Sequence, residues 1–350
     1  MQEASGLNRA PVAMMEVVVC TEPGLLERGR RAMPKAGPDE VLVRVRRVGV
    51  CGTDMHIYRG TQPYLTYPRV MGHEMSGEVV EAPQSSGFVP GEPVYALPYL
   101  SCGHCAACRK ERENCCMRIE VLGVHRDGAM AQYIAVPARF LRSAEGVTLD
   151  AAAMVEFLAI GAHAVRRADV RSGQTALVVG AGPIGIAAAL FAKLRGATVT
   201  VVDRREDRMA FCLAEIGTDH AVLADDAASS QLSALTGGDF YDVVFDATGS
   251  PQAMEAGFAY VGHGGTYVLI SVVGADITFS DPEFHRRETT LLASRNAAPQ
   301  DFEAVVDAMR RGLVPVAALN THRAELSALP DVMETWMDPA SGVIKAIVAC

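Results

Sequence analysis

At 350 residues the chain exceeds the size at which one hydrophobic core keeps growing, so two domains are expected. Hydrophobic residues make up 49% of it and charged residues 21%, a balance that excludes disordered and fibrous classes. A net charge of −9 without a concentrated basic face argues against nucleic-acid binding, because a phosphate backbone needs such a face.

In chain order, residues 1–13 read as a loose extension. They lack the basic, apolar and small-residue order of a secretory leader, so a cytoplasmic protein is expected. A strand at 15–20 opens a region, reaching to about residue 153, of short β-branched runs at 41–50, 77–81 and 133–136, separated by Gly and Pro turns. That region is predicted to be mostly β. From about residue 151 strand and helix alternate: a strand at 175–179, a helix from Pro183, a strand at 198–202, a helix stopped by Gly217, a strand at 241–247, and a helix opened by Ser250-Pro251. Such alternation implies a parallel, doubly wound sheet. The longest uncharged apolar stretch, 176–192, is broken by three glycines and Pro183, which reads as strand, turn and buried helix and not as a membrane span. The apolar segment 266–273 is a candidate for pairing across a subunit interface. A helix over 299–311 and an apolar tail over 342–348 leave the alternation and are expected to return to the first domain. The expected organisation is therefore 1–155 with a cysteine lobe at about 98–118, then 156–297, then 298–350.

Three constellations carry chemistry. Cys51-Gly52-Thr53-Asp54-Met55-His56 follows a strand, and Gly72-His73-Glu74 precedes another. Cys, His and Glu are all competent zinc ligands, and three protein ligands with one open position describe a catalytic zinc. Cys102, Cys105, Cys108 and Cys116 form C-x2-C-x2-C-x7-C, which suits a closed structural zinc, with the neighbouring Cys115 able to take the fourth place. Thiolates held on zinc fit a reducing compartment. Gly180-Ala181-Gly182-Pro183-Ile184-Gly185 follows an apolar strand and opens a helix, the setting for a pyrophosphate on a helix N-terminus. Asp203 ends the next strand, where a carboxylate holds the adenosine ribose hydroxyls and repels a 2′-phosphate, so NAD is expected over NADP. Arg204 and Arg205 could hold that phosphate in the NADP alternative, or simply solvate a helix start. Arg204 and Arg208 are placed on the cofactor side, and Thr248, in Asp246-Ala247-Thr248-Gly249, at the nicotinamide end.

With these motifs in hand, the chain resembles the zinc-dependent medium-chain alcohol and polyol dehydrogenases, from about Met15 onward. The resemblance rests on C-G-T-D-x-H at 51–56, G-H-E at 72–74, the four-cysteine lobe, V-E-F at 155–157 and G-A-G-P-I-G at 180–185. It implies a mostly β, GroES-like catalytic domain joined to a Rossmann domain, an α/β architecture overall. It also implies two zincs per chain, an alcohol substrate, and a homodimer or homotetramer with neither membrane nor nucleic-acid partners. By the same resemblance Cys51 and His73 are ligands of the catalytic zinc, with Glu74 the third ligand or a neighbour that exchanges with water. Glu156 supplies the remaining position directly or through water. Thr53 accepts the alcohol proton, His56 passes it toward solvent, and His104 is only a loop residue of the lobe.

Two departures stand out: Phe157 follows Glu156 where many members have Pro, and Gly91-Glu92-Pro93-Val94 replaces the usual Gly-Asp before the strand valine. Neither removes a ligand. Stretches at 56–64, 123–128, 157–165 and 294–296 resemble the branch acting on sugar acids, the hexonate 5-dehydrogenases. Arg59, Arg126 and Arg295 fall in these stretches and either hold a substrate carboxylate bidentately or make structural salt bridges. The expected reaction is oxidation of a secondary hydroxyl of L-galactonate, L-gulonate or a similar acid, with a sorbitol- or galactitol-type polyol dehydrogenase, or one resembling L-threonine 3-dehydrogenase, as the alternatives. A regulator that binds NAD and zinc without chemistry is the reading of another class; the presence of Thr53, His56 and the open-site ligands argues against it.

Overall fold

The computed structural model describes residues 13–350, so the expected extension falls, apart from Ala13, outside the described residues. The chain opens on a hairpin of β1 (Met14–Glu22) and β2 (Leu25–Ala32), whose inner face buries Val17 and Val19. β3 (Glu40–Val50) carries Val41, Val43 and Val45 at the period of two that turns alternate residues to one face, and all three are fully buried. A short helix, α1 (Gly52–Tyr58), leaves its end, and β4 (Glu74–Glu81) returns antiparallel beside it. The sequence pattern placed the start of β4 at residue 77; the ladder begins at Glu74, so the acidic residue of the Gly-His-Glu motif is itself the first strand residue. β5 (Pro93–Ala96), β6 (Tyr133–Pro137) and β7 (Leu141–Ser143) complete this half of the sheet.

Helix α2 (Val155–Arg167) is buried on nearly every face, as expected of a helix packed between two layers. It lies so close to the next helix that a Cβ on Gly161 would come within 2.5 Å of the Ala187 backbone. Beyond it, β8 (Thr175–Val179), α3 (Pro183–Leu194), β9 (Thr198–Asp203), α4 (Glu206–Phe211), β10 (His220–Leu223), α5 (Ala228–Leu235), β11 (Tyr241–Asp246), α6 (Pro251–Gly257), β12 (Val261–Leu269) and β13 (Thr290–Ala293) follow in alternation. All pairings in this sheet are parallel and the order is β10-β9-β8-β11-β12-β13. This is the Rossmann arrangement, with its switch point between β8 and β11. The punctuation is local: Ser250 caps α6 by accepting from Ala253 N, and Gly217, at φ +73°, ends the π turn that continues α4.

The segment 266–273 does not offer a free edge. Both sides of its strand portion are consumed by β11 and β13, so the edges of the sheet are β13 and, at the other end, β10. After α7 (Pro299–Arg310) the chain adds β14 (Asn320–Glu325) and β15 (Lys345–Ala349) to the first sheet. β15 runs antiparallel to β3 with Ala346 opposite Val50, giving the order β14-β15-β3-β4-β5-β7 with β6 also on β3. That register sets Lys345 beside the end of β3. Among the described residues no helix is long and apolar enough to cross a membrane.

Candidate metal centre and dinucleotide site

Cys51 stands where β3 ends and α1 begins, and one side chain explains the sharp change of course. Asp54 is fully buried; its Oδ2 accepts from Cys51 N at 2.9 Å and its Oδ1 from Gly72 N at 3.1 Å. The carboxylate thus caps α1 and ties the Cys51 turn to the segment leading into β4. Burial raises its pKa, against the opposing pull of His73 and the backbone donors.

A sulfur of Cys51, a ring nitrogen of His73 and a carboxylate oxygen of Glu74 lie within 4.8 Å of one another. Donors around a tetrahedral zinc stand roughly 3.3–3.8 Å apart for bonds of about 2.0–2.3 Å, so a small contraction would close this set on a metal. Glu156, in the first turn of α2, lies outside the three-residue cluster but in the same buried region; the Tyr99 hydroxyl donates to its Oε1. Lys345 reaches in from β15. Its Nζ is 2.7 Å from both oxygens of Glu74, 3.2 Å from Val50 O and 4.4 Å from the Phe157 ring centre, and it is 1% exposed.

The electrostatics favour a cation. Cys51, Asp54, Glu74 and Glu156 can each carry negative charge here, against only His73 and Lys345 for positive. Burial works against a charged His73 imidazole, yet Cys51, Asp54 and Glu156 outweigh it and hold its pKa well above the ordinary value. Burial opposes the Lys345 ammonium too, and Glu74 and Cys51 reverse that. Glu156 is pushed up by burial, with His73 pulling it down. His73 Nδ1 is buried without a hydrogen-bond partner, so protein groups alone leave this ring unsatisfied. A divalent metal fits both the donor set and the excess of negative charge. Thr53 is half-buried on the first turn of α1, and His56, exposed, has its Nδ1 2.9 Å from Thr61 Oγ1.

The four-cysteine lobe is a second cluster. Cys102, Cys105, Cys108 and Cys116 bring their sulfurs within 4.8 Å of one another, with pairs at 3.5, 3.9 and 4.0 Å. Those spacings are far longer than a disulfide bond and near the roughly 3.8 Å between thiolates on one zinc. Cys116 Sγ also accepts from Cys102 N and Arg118 N. The backbone amides of Cys108 and Met117 draw the Cys105 thiol down to about 6. Cys115 is exposed and is not in the cluster, whereas Cys116 is.

At the switch point Gly180 has φ +95°, and a Cβ there would stand 3.1 Å from the Ala247 carbonyl carbon, so only glycine lets these two loops approach. A Cβ on Gly185 would collide with Gly180 O. Gly182 is the N-cap of α3, with Pro183 and Ile184 in its first turn. Asp203 Oδ2 accepts from Ala181 N at 2.6 Å and Oδ1 from Arg205 N at 2.8 Å, which fixes the carboxylate against the glycine loop. Arg204 is exposed, whereas Arg205 pairs with Asp207. Arg208 is buried and donates to Val343 O; burial lowers its pKa. The Thr248 hydroxyl donates to Asp246, whose own pKa burial raises.

The three arginines expected at the substrate stand on three separate segments. Arg59 caps the end of α1 and Arg295 follows β13, both exposed, while Arg126 faces Glu40 at 3.7 Å, at the start of β3. Of its two readings, substrate contact or structural salt bridge, Arg126 has a partner for the second in Glu40. A cleft of about 950 Å³ between Gly37, Glu40, Ser86 and Arg139 lies at the same end of β3 and holds no metal-competent cluster.

Sequence reading assigned no role to Asp54, Tyr99 or Lys345. The available signal for Lys345 was a lone charge inside an apolar strand, and for Asp54 its fixed place in the Cys51 motif.

Residues 37–145 match the alcohol dehydrogenase GroES-like domain and residues 183–311 the zinc-binding dehydrogenase domain. The chain is 39% identical to L-galactonate-5-dehydrogenase of Escherichia coli strain K12 over 338 residues, covering 96% of this chain and 99% of the relative. Its fold is similar to a crystal structure of an alcohol dehydrogenase (rspB) from Escherichia coli CFT073 in complex with NADH, at TM-score 0.90 and 28% identity, over 96% and 99% of the two chains. It is equally similar to a protein assigned as a zinc-binding dehydrogenase from Sinorhizobium meliloti 1021, bound to NADP, at TM-score 0.89 and 28% identity, over 97% and 100%.

Proposed function

The chain belongs to the zinc-type medium-chain alcohol dehydrogenase family, and from that premise we propose that it oxidises a secondary hydroxyl of a hexonate, such as L-galactonate or L-gulonate, to the ketone with NAD. The observation that carries the substrate is its likeness, over 96% of its length, to a relative named for that chemistry.

Cys51 and His73 hold the catalytic zinc, Glu74 or Glu156 supplies the third protein donor, and the four lobe cysteines hold a second, closed zinc. Zinc, when bound, polarises the hydroxyl and lowers its pKa, while the nicotinamide takes the hydride. Thr53 accepts the hydroxyl proton and His56, steadied by Thr61, passes it to solvent; both side chains can donate and accept. With NAD bound, the hydride would leave the C–H bond and the proton the O–H bond, the latter by way of Thr53 and His56 to water, leaving C=O. The N-terminus of α3 at Gly182, Pro183 and Ile184 receives the pyrophosphate. Asp203 accepts from the ribose hydroxyls and disfavours a 2′-phosphate, with Arg204 and Arg208 flanking the adenosine and Thr248 toward the nicotinamide. Arg295 and Arg59 are the candidate partners of the substrate carboxylate. The assembly is a homodimer or homotetramer, with the open edge of β13 available for pairing.

Steady-state rates on a panel of hexonates and the matching alditols, each with NAD and NADP, test this reading. The expected result is a higher kcat/KM for a hexonate with NAD. A higher value for the alditols would replace it with a polyol dehydrogenase, and a preference for NADP would overturn the role given to Asp203.

A further inference from the structure

We propose that Asn114 is a positioning residue that ties the four-cysteine lobe to the loop after β13, so that the lobe sets where residues 294–298 stand. Asn114 lies inside the lobe, two residues before Cys116, and is buried. Its Nδ2 is 2.9 Å from Arg295 O and 3.3 Å from His163 Nε2. A carbonyl oxygen can only accept, so the amide must turn its NH2 group toward Arg295. The second hydrogen of that group then points to His163 Nε2. The other ring nitrogen, Nδ1, lies 2.7 Å from Asp301 Oδ2 and 3.0 Å from Arg166 Nη2.

Asp301 is held from three sides. Arg166 donates through Nε at 2.6 Å and Nη2 at 3.0 Å, and Ala298 N donates at 2.9 Å as Asp301 caps α7. The return contact closes the set: Asn296 Nδ2 donates to the backbone oxygen of Asn114 at 3.2 Å. Asn296 has φ +53°, a left-handed conformation that a short polar side chain tolerates. The loop is therefore bonded to the lobe at 295 and 296 and to α2, through the Asp301 cap, at 298. A buried polar network with its partners matched in this way specifies one arrangement rather than several.

The position gives the tie its consequence. Residues 294–298 leave β13 at the carboxyl edge of the parallel sheet, where open α/β sheets bind ligands, and Ser294 N still bonds to Leu269 O on that edge. Asn114 belongs to the other domain, more than a hundred residues earlier in the chain. The lobe is thus a platform for a ligand-facing loop as well as a closed unit. That this loop serves the alcohol rests on the placement of Arg295 in the proposed function; the tie itself does not.

The test is hydrogen–deuterium exchange on the full-length, zinc-loaded protein carrying Asn114→Ala or Asn296→Ala. In Asn114→Ala the amides of 294–298 are expected to exchange about tenfold faster, while residues 102–112 of the lobe and strand β8 keep wild-type rates. Asn296→Ala is expected to raise exchange in the same segment by a smaller factor, and it decides the matter if Asn114→Ala does not fold. Unchanged exchange at 294–298 overturns the proposal, and so does an equal rise across the whole lobe, which would make Asn114 a fold residue of the lobe alone. The KM for the alcohol in Asn114→Ala should rise about fivefold with kcat within twofold. Faster exchange with an unchanged KM would support the tie and remove Arg295 from the substrate.

Discussion

Two metal-competent clusters sit among the described residues, and they are built in opposite ways. The lobe draws four sulfurs from residues 102–116, and its own backbone amides supply the surrounding hydrogen bonds. The cluster at Cys51 draws on the end of β3, the start of β4, the first turn of α2 and a lysine from β15, all largely buried. Four identical donors from one loop close a coordination sphere and leave nothing for a substrate. A mixed set of three leaves a fourth position open. The difference teaches that closure can be encoded within fifteen residues, whereas an open site with tuned electrostatics needs the whole fold to assemble it.

Crossing the two sites is the largest test. Cys51→Ser should lower kcat/KM at least about a thousandfold, which is about 4 kcal/mol of lost transition-state stabilisation, with little change in Tm. Cys105→Ser should instead lower Tm by roughly 5–10 °C while most of the activity of the folded fraction remains. Metal analysis should fall from two zincs per chain to one in each variant. If both substitutions cost activity and stability alike, the division into an open and a closed site fails.

The same contrast explains what could be read beforehand. The lobe, the glycine loop from Gly180 to Gly185 and Asp203 depend on spacing within a few residues or on one strand-to-strand step, so they are visible in the chain itself. Cys51, His73 and Glu74 were visible through two short motifs, but the excess negative charge they share with Asp54 and Glu156 was not. Lys345 and Tyr99 reach that centre across 271 and 57 residues to Glu74 and Glu156, respectively, and no local pattern announces such contacts. The network of Asn114, His163 and Asp301 is hidden for the same reason. Arg126 shows the converse: the chain alone leaves a substrate contact and a salt bridge both open, and its neighbour Glu40 becomes visible only in the fold.

The buried pair of Lys345 and Glu74 is the next test, because the lobe has nothing like it. Lys345→Met should destabilise the protein by about 3–5 kcal/mol, since Glu74 is left charged and buried without its partner. Adding Glu74→Gln to that variant should recover most of the loss, as removing both charges restores balance. Chemical denaturation of the four proteins in the cycle measures the coupling. If the double variant is as unstable as Lys345→Met, the lysine acts by packing on Phe157 and not through charge.

The smallest effect concerns Asp301, which joins the lobe to the dinucleotide domain through His163. Burial pushes its carboxyl pKa up, but hydrogen bonds from His163, Arg166 and Ala298 N prevail and hold it below the usual aspartate value. A folded pKa below the unfolded one, about 3.9, means stability that is present above that pH and is lost as pH falls through the folded value. Asp301→Asn keeps an oxygen for Ala298 N and so preserves the cap on α7, which isolates the charge. At pH 7 the variant should be less stable by about 1.5–3 kcal/mol, the range for hydrogen bonds to a charged group. Below about pH 4 the gap should narrow, because the unfolded wild-type chain then takes up a proton that the folded carboxylate still resists, an effect the variant lacks. Thermal melts of both proteins from pH 6 to pH 3 read this directly. A constant gap across that range would mean that the charge contributes nothing and that His163 and Asp301 hold the domains together through shape alone.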